Sequence, residues 1–223
     1  MSTDLQTFVM SPVATCRHQS PTLTSYRRSF DLGGIITSFS RNEKIFSKGE
    51  QAKYLYEVES GCIRTFDTLN NGRRWISRFY LPNDIVGLDA RENHVISAEA
   101  TSPSKVRLIE RAALMSQAAR NVDVVKYLMD ITAIELQHAQ NHKLILLKGA
   151  QERIVDFLLE LKNREQNETA VDLPMTRVDI ADYLGLSIET VSRIFTRLKG
   201  TSAISLLTSR RIDLRNLPRA SIA

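Results

Sequence analysis

The sequence predicts an α+β chain: a strand-rich N-terminal half, one long helix, and a C-terminal winged helix-turn-helix. Three observations carry this expectation. Six of the nine glycines fall between Gly33 and Gly87, where they punctuate short β-branched and aromatic runs. After residue 111 the punctuation stops and apolar residues recur every three or four positions. Capping, glycine and apolar residues between 177 and 196 are then spaced as two short helices across a tight turn.

Residues 1–30 are polar, rich in Ser and Thr and without periodicity, and read as a mobile leader. The runs Ile35–Phe39, Tyr54–Val58, Cys62–Leu69, Trp75–Leu81, Val95–Ala100 and Lys105–Ile109 read as strands. Asn70-Asn71-Gly72 between two of them is a hairpin signal. Short strands at this spacing predict a β-sandwich or barrel over 31–120.

A long helix is expected over 121–148. Val125, Met129, Thr132, Leu136, Ala139 and Leu146 trace a narrow apolar seam, while Leu128, Ile131, Ile134, Leu144, Ile145 and Leu147 lie off it. Two apolar faces let one helix pack on its own fold and on a second copy. Gly149 breaks this helix before another, Ala150–Lys162, with Ile154, Phe157, Leu158 and Leu161 inward. Asn163–Asp172 and Pro174 read as a loop or short-strand connection, and 149–223 as one C-terminal unit.

Within that unit Thr176 is placed to cap the first short helix, with Asp179 as its capping-box partner. Ala181 is small where two helices cross. Gly185, four residues on, supplies the left-handed residue that ends a helix. Ser187 caps the second helix, and Ile180, Leu184, Val191 and Ile194 bury the crossing. The second helix then presents Glu189, Thr190, Ser192, Arg193 and Thr196 outward. Arg binds guanine bidentately and Glu accepts from cytosine, so this face suits base edges in a major groove. Thr176, Arg177, Ser187, Thr190, Thr196, Arg197 and Lys199 suit phosphates. Ala203–Leu206 and Ile212–Leu214 around Thr208-Ser209-Arg210-Arg211 read as a β-wing, adding Arg210 and Arg211 to the backbone contacts.

The charge distribution agrees. The chain has 223 residues and a net charge of +5. From Arg177 onward there are eight Lys/Arg and four Asp/Glu, a net of +4; the rest holds 22 and 21, a net of +1. A polyanion partner at the C-terminal end follows. No run of 18 apolar residues and no secretory leader is present, so no membrane segment and a cytoplasmic address are expected.

In this order these parts resemble the Crp/Fnr transcription regulators over about residues 30–216. The most specific stretch is Met175–Arg193, with Leu-Gly-Leu-Ser-Ile-Glu-Thr-Val-Ser-Arg similar to the Fnr-type recognition helix. Ser60-Gly61, Phe79-Tyr80-Leu81-Pro82-Asn83-Asp84 and Val86-Gly87-Leu88-Asp89 also resemble the Fnr and FixK branch. The resemblance implies a cyclic-nucleotide-binding-like β-roll (jelly roll), a long dimerisation helix, and a homodimer reading double-stranded DNA at a palindromic promoter site. It implies base contacts by Glu189, Ser192 and Arg193. Ile188 is counted with them as a base contact, and Crp-type members carry Arg there, which points to a TTGAT-N4-ATCAA-like site. An activator touching RNA polymerase, with the Asn70–Arg74 hairpin facing it, is implied in the same way.

Two departures bear on cofactors, and none is expected. Cyclic-nucleotide-binding members hold ribose and phosphate with Gly-Glu-Leu and Arg-Ser-Ala motifs; here the segments are Gly87-Leu88-Asp89 and Ser97-Ala98-Glu99. Oxygen-sensing members ligate an iron–sulfur cluster with four cysteines, and this chain has Cys16 and Cys62 alone. A ligand- or haem-gated sensor of the same family, whose β-domain effector controls DNA binding, is the alternative. His138 and His142 stand at a metal-ligand spacing that two more from a dimer partner would complete to four, but no Glu follows His138 in an HExxH pattern and no metal site is assigned. No phosphate loop, nucleophile elbow or supported carboxylate pair is present, so no catalytic residue is assigned and the chain is not expected to be an enzyme.

Overall fold

The computed structural model describes residues 33–165, 169–208, 210–214 and 216–217. The expected leader at 1–30, with Cys16, lies outside them.

Two antiparallel sheets form the N-terminal β-roll. One has the order β1-β8-β3-β6, from β1 (Ile35–Phe39), β8 (Ser104–Glu110), β3 (Tyr54–Ser60) and β6 (Ile85–Val86). The other has the order β2-β7-β4-β5, from β2 (Lys44–Phe46), β7 (Ser97–Ala100), β4 (Ile63–Thr68) and β5 (Arg74–Tyr80). Alternation puts Ile63, Tyr80, Ala98 and Ala100 inward against Phe46, Tyr56, Val58 and Val106. The same alternation sends Arg64, Phe79 and Glu99, which share a register position, to the opposite face. The Asn70-Asn71-Gly72 turn closes the β4–β5 hairpin with Gly72 at φ 78° and a Gly72 N–H bond to the Leu69 carbonyl. Sequence reasoning passed over β2 and β6, which have three and two residues and depend on partner strands for their geometry.

A separate helix, α1 (Arg111–Ala118), precedes the long one, α2 (Val122–Leu146). Asn121 is extended and accepts from the Asp123 amide, which starts α2 afresh. The inner face of α2, Val124, Tyr127 and Ile131, packs on Leu55, Ile85, Ile109 and Leu114 of the β-roll and α1. Val125, Met129, Thr132, Leu136 and Ala139 face solvent, with Met129 67% and Leu136 60% exposed. Leu146 departs from that stripe and is half-buried. A straight helix drifts about 20° per heptad against a strict seven-residue repeat, so three heptads beyond Val125 the position has turned inward.

The next helix, α3 (Ala150–Glu165), runs one turn further than expected before β9 (Ala170–Asp172). Then come α4 (Arg177–Leu184), α5 (Ile188–Gly200), β10 (Ser205–Leu206) and β11 (Arg211–Asp213). The wing is a three-stranded sheet of order β10-β11-β9, because the connection before α4 also joins it. One apolar cluster unites Phe157, Leu158, Ile180, Tyr183, Leu184, Val191 and Ile194 with Cys62, Ile76, Phe79 and Leu81 of the β-roll. Phe79 stands 6.1 Å from Phe157 and 5.2 Å from Tyr183, ring to ring.

Candidate nucleic-acid interface

The two helices α4 and α5 are locked by local chemistry. Asp179 N–H donates to Thr176 Oγ1 at 3.1 Å, and Thr176 N–H donates back to Asp179 Oδ2 at 2.9 Å, completing the capping box. Gly185 ends α4 at φ 65°, ψ 34°. Ser187 Oγ caps α5 by accepting from Thr190 N–H at 3.2 Å. Space near Gly185 would admit a methyl, 3.6 Å from Arg153, so the constraint is the left-handed backbone itself. Gly185→Ala is expected to destabilise the fold by about 1–2 kcal/mol in urea unfolding, with Gly185→Asn costing less. Equal effects of the two would contradict this.

On α5, Val191, Ile194, Phe195 and Leu198 are buried, and the opposite face is open. Glu189, Arg193, Thr196, Arg197 and Lys199 are exposed, Ile188 is 40% exposed, and Thr190 and Ser192 are half-buried. The Glu189 carboxyl lies below its ordinary pKa because its own backbone amide and the Ser187 hydroxyl bond to it. It is therefore an ionised acceptor at neutral pH. Arg193 donates to Thr190 Oγ1 at 3.3 Å, and Arg197 donates to Gln151 at 3.2 Å. Arg177 is half-buried with its guanidinium 4.2 Å above the Phe195 ring. Thr176 gives its hydroxyl proton to Asp179 Oδ2 at 2.7 Å, leaving the first-turn amides of α4 as the nearby donors for an anion. Arg210 and Arg211 are exposed on the wing, with Arg211 3.8 Å from Asp172.

Several residues that sequence reasoning did not single out join this interface to the β-roll. Arg64 donates to Asp179 at 2.8 Å and to Glu99 at 2.6 Å. Arg74 donates to Asp179 at 2.7 Å and to Asp182 at 2.9 Å. Arg73 donates to the Leu186 carbonyl in the turn between α4 and α5 at 3.0 Å. Arg153 donates to the Leu184 carbonyl at 2.9 Å and to the Lys148 carbonyl at 2.8 Å, tying the end of α4 to the α2–α3 junction. The β4–β5 hairpin thus spends two of its arginines on α4, while Leu69 to Gly72 stay exposed.

The paired histidines have separate partners. His142 Nε2 donates to the Tyr183 carbonyl at 2.9 Å, its ring stacked 4.1 Å from that of Tyr183. Burial lowers its pKa, which keeps it neutral. His138 Nδ1 faces Glu160 at 3.4 Å. Among the described residues no three His, Cys, Asp or Glu side chains group as a metal site. Cys62 is buried, and burial pushes its thiol up to about 12, which removes the thiolate that redox chemistry needs.

The fold implies a cyclic nucleotide in the β-roll, and the residues present do not fit one. Asp89 is engaged by His94 Nδ1 at 2.7 Å and by the Val95 amide at 3.3 Å. Ala98 is packed in the core, and Glu99 lies on the far face against Arg64. Glu99 is thus neutralised by Arg64 outside the roll. Arg78, at the register position of Ala98 and Thr65, is already paired with Glu135 and Asp84.

Comparison with known proteins agrees with this architecture. A family model described as a Crp-like helix-turn-helix domain matches residues 152–219, and one described as a cyclic nucleotide-binding domain matches residues 36–121. The chain belongs to the Crp/Fnr family of transcription regulators, on its FixK/Fnr-like side, and its relatives are regulators rather than enzymes. It is 41% identical over 189 residues to the nitrogen fixation regulation protein FixK of Azorhizobium caulinodans, covering 82% of this chain and 76% of that one. It is 34% identical over 172 residues to the transcriptional activator protein Anr of Pseudomonas protegens, covering 74% and 70%. The structure of FixK2 from Bradyrhizobium japonicum superposes with a TM-score of 0.79 at 40% identity, covering 82% of this chain and 93% of that one. No helix among the described residues is long and apolar enough to cross a membrane.

Proposed function

We propose that this chain is a cytoplasmic transcription activator that binds a TTGAT-N4-ATCAA-like palindrome as a homodimer and contacts RNA polymerase. The β-roll, to about residue 120, serves as frame. The helix at 121–148 dimerises through Val125, Met129, Thr132, Leu136 and Ala139. The unit from 149 reads DNA. One observation carries the reading: α5 is capped and buried on one side while Glu189 and Arg193 are exposed on the other, flanked by Ser192 and Ile188. Thr190, Ser187, Thr196, Arg197 and Lys199 flank the bases at phosphate positions. Two cysteines, one of them buried, leave no four-thiolate cluster in one subunit, and the residues of the β-roll argue against cAMP.

A second reading, a ligand- or haem-gated sensor, is favoured by a cavity of about 180 Å³ between β5, α2 and α3, lined among others by Trp75, Phe79, His138 and Tyr183. Tight effector-free binding to the palindrome at physiological salt would decide for the first reading. Arg193→Ala is expected to weaken that binding by about 1–3 kcal/mol per half-site and to relax base preference there. Arg197→Ala should weaken binding to every duplex alike and flatten its salt dependence. Unchanged affinity in Arg193→Ala would refute the assignment of α5.

A further inference from the structure

The carboxylate of Asp179 is shared between two parts of the chain. Its Oδ2 accepts from the amide and hydroxyl of Thr176, and its Oδ1 accepts from Arg64 at 2.8 Å and Arg74 at 2.7 Å. The Asp179 side chain is 2% exposed and that of Arg64 7%. Arg64 Nε is buried without a hydrogen-bond partner. A buried guanidinium with one nitrogen left unbonded is poor value for stability alone. The apolar contact of Phe79 with Phe157 and Tyr183 holds the two parts together but is non-directional. Each guanidinium instead bridges two carboxylates, Arg64 those of Asp179 and Glu99 and Arg74 those of Asp179 and Asp182, and charge-assisted hydrogen bonds of this kind are directional.

We propose that Arg64 and Arg74 are positioning residues for DNA reading. By holding Asp179 at the third residue of α4, they fix the angle of α4, and so of α5, to the β-roll. The β-roll also carries α2 through Leu55, Ile85 and Ile109, so one frame sets both the dimer seam and the reading head. The angle then determines the separation of the two recognition helices, which a palindrome with a fixed spacer demands. Glu189 and Arg193 are exposed while this latch, the pairing of Arg64 and Arg74 with Asp179, is closed, so it presents the reading face and does not cover it. The inference rests on the DNA-reading assignment above.

The test uses the full chain with Arg74→Gln, Arg74→Lys and Arg64→Gln, on duplexes with spacers of three, four and five base pairs and on an unrelated duplex. Arg74→Gln is expected to lose about tenfold on the four-base-pair spacer, as the competent orientation becomes a fraction of the population. It should lose less on the other spacers and nothing on the unrelated duplex, and remain the oligomer that the wild type is. Arg74→Lys should restore the spacer preference. Mere destabilisation would lower all duplexes together. Unchanged spacer preference, or tighter binding on latch removal, would overturn the proposal. Arg74 is 27% exposed, so its variants keep the test alive if Arg64→Gln fails to fold. A second measurement needs no DNA and separates this proposal from the function reading. Spin labels at Lys126 and Thr196, both exposed, should give a distance distribution that broadens in Arg74→Gln. An unchanged width also overturns it, whereas a wild type that ignores the palindrome counts against the function reading.

Discussion

A chain carrying Met129→Glu and Leu136→Glu will behave as a folded monomer and bind the palindrome a hundred- to ten-thousand-fold more weakly than the wild type. Both side chains lie on the solvent face of α2, at 67% and 60% exposure, so a carboxylate there costs a single chain little. In a dimer joined along this stripe, two such substitutions bring four carboxylates together in place of an apolar seam. The DNA term follows from effective concentration: with the subunits joined, the second half-site is engaged intramolecularly, a gain of about 10²–10⁴. Sedimentation reports the mass, circular dichroism the fold, and titration of the duplex the affinity. A dimer that survives both substitutions would place the interface elsewhere.

Arg78→Ala is expected to destabilise the fold by about 3–5 kcal/mol in urea unfolding, the cost of breaking a buried ion pair from one side. Arg78 is 8% exposed and bonds Glu135 of α2, with Asp84 3.7 Å away and the Tyr80 ring 4.6 Å below. Tyr80 also donates to Glu135 at 3.0 Å, and Arg164 of α3 pairs with Asp84. Without Arg78 the partly buried Glu135 loses its cation. Arg78→Met with Glu135→Leu should recover most of the loss, since an apolar pair of similar volume replaces a buried ion pair at little cost. The same site gives a pH effect. Burial works to raise the Asp84 pKa, but Arg164 and Arg78 outweigh it and hold the carboxyl below its usual value. Its stabilisation is full above the unfolded carboxylate value of about 3.9 and is lost as pH falls through the lower folded value. Removing Arg78 takes away one of the two cations, so acid unfolding should begin at a higher pH. An unmoved acid midpoint would contradict the pairing.

The helix-turn-helix was legible because its determinants are local. Thr176 pairs with Asp179 and Ser187 with the Thr190 amide, each three residues apart, while Gly185 acts through its own backbone, and Thr176, Asp179, Gly185 and Ser187 stand in the capping and terminating roles that their spacing assigns. The larger strands were legible from glycine punctuation. The latch was not legible, because Arg64 and Arg74 meet Asp179 across 115 and 105 residues and no periodicity records such a pair. One signal did exist: Arg64 interrupts a β-branched and aromatic run, and a charge inside a buried strand demands a partner. His138 and His142 illustrate the reverse. Their spacing reads as a ligand pair, yet one bonds a carbonyl of α4 and the other faces a carboxylate of α3. Leu146 shows the limit of heptad counting on a straight helix.

The apolar cluster that runs from Phe79 and Ile76 into α3, α4 and α5 has a consequence for how far this molecule is modular. Excised from residue 149 onward, the C-terminal piece would show water the greasy flank that Cys62, Ile76, Phe79 and Leu81 now cover. It would lose at the same stroke the arginines that neutralise Asp179 and Asp182. The DNA-reading piece is thus completed by the half of the chain that precedes it. Grafting it onto a foreign sensor calls for carrying the β4–β5 hairpin along, as a matching socket, rather than joining the two at the α2–α3 hinge.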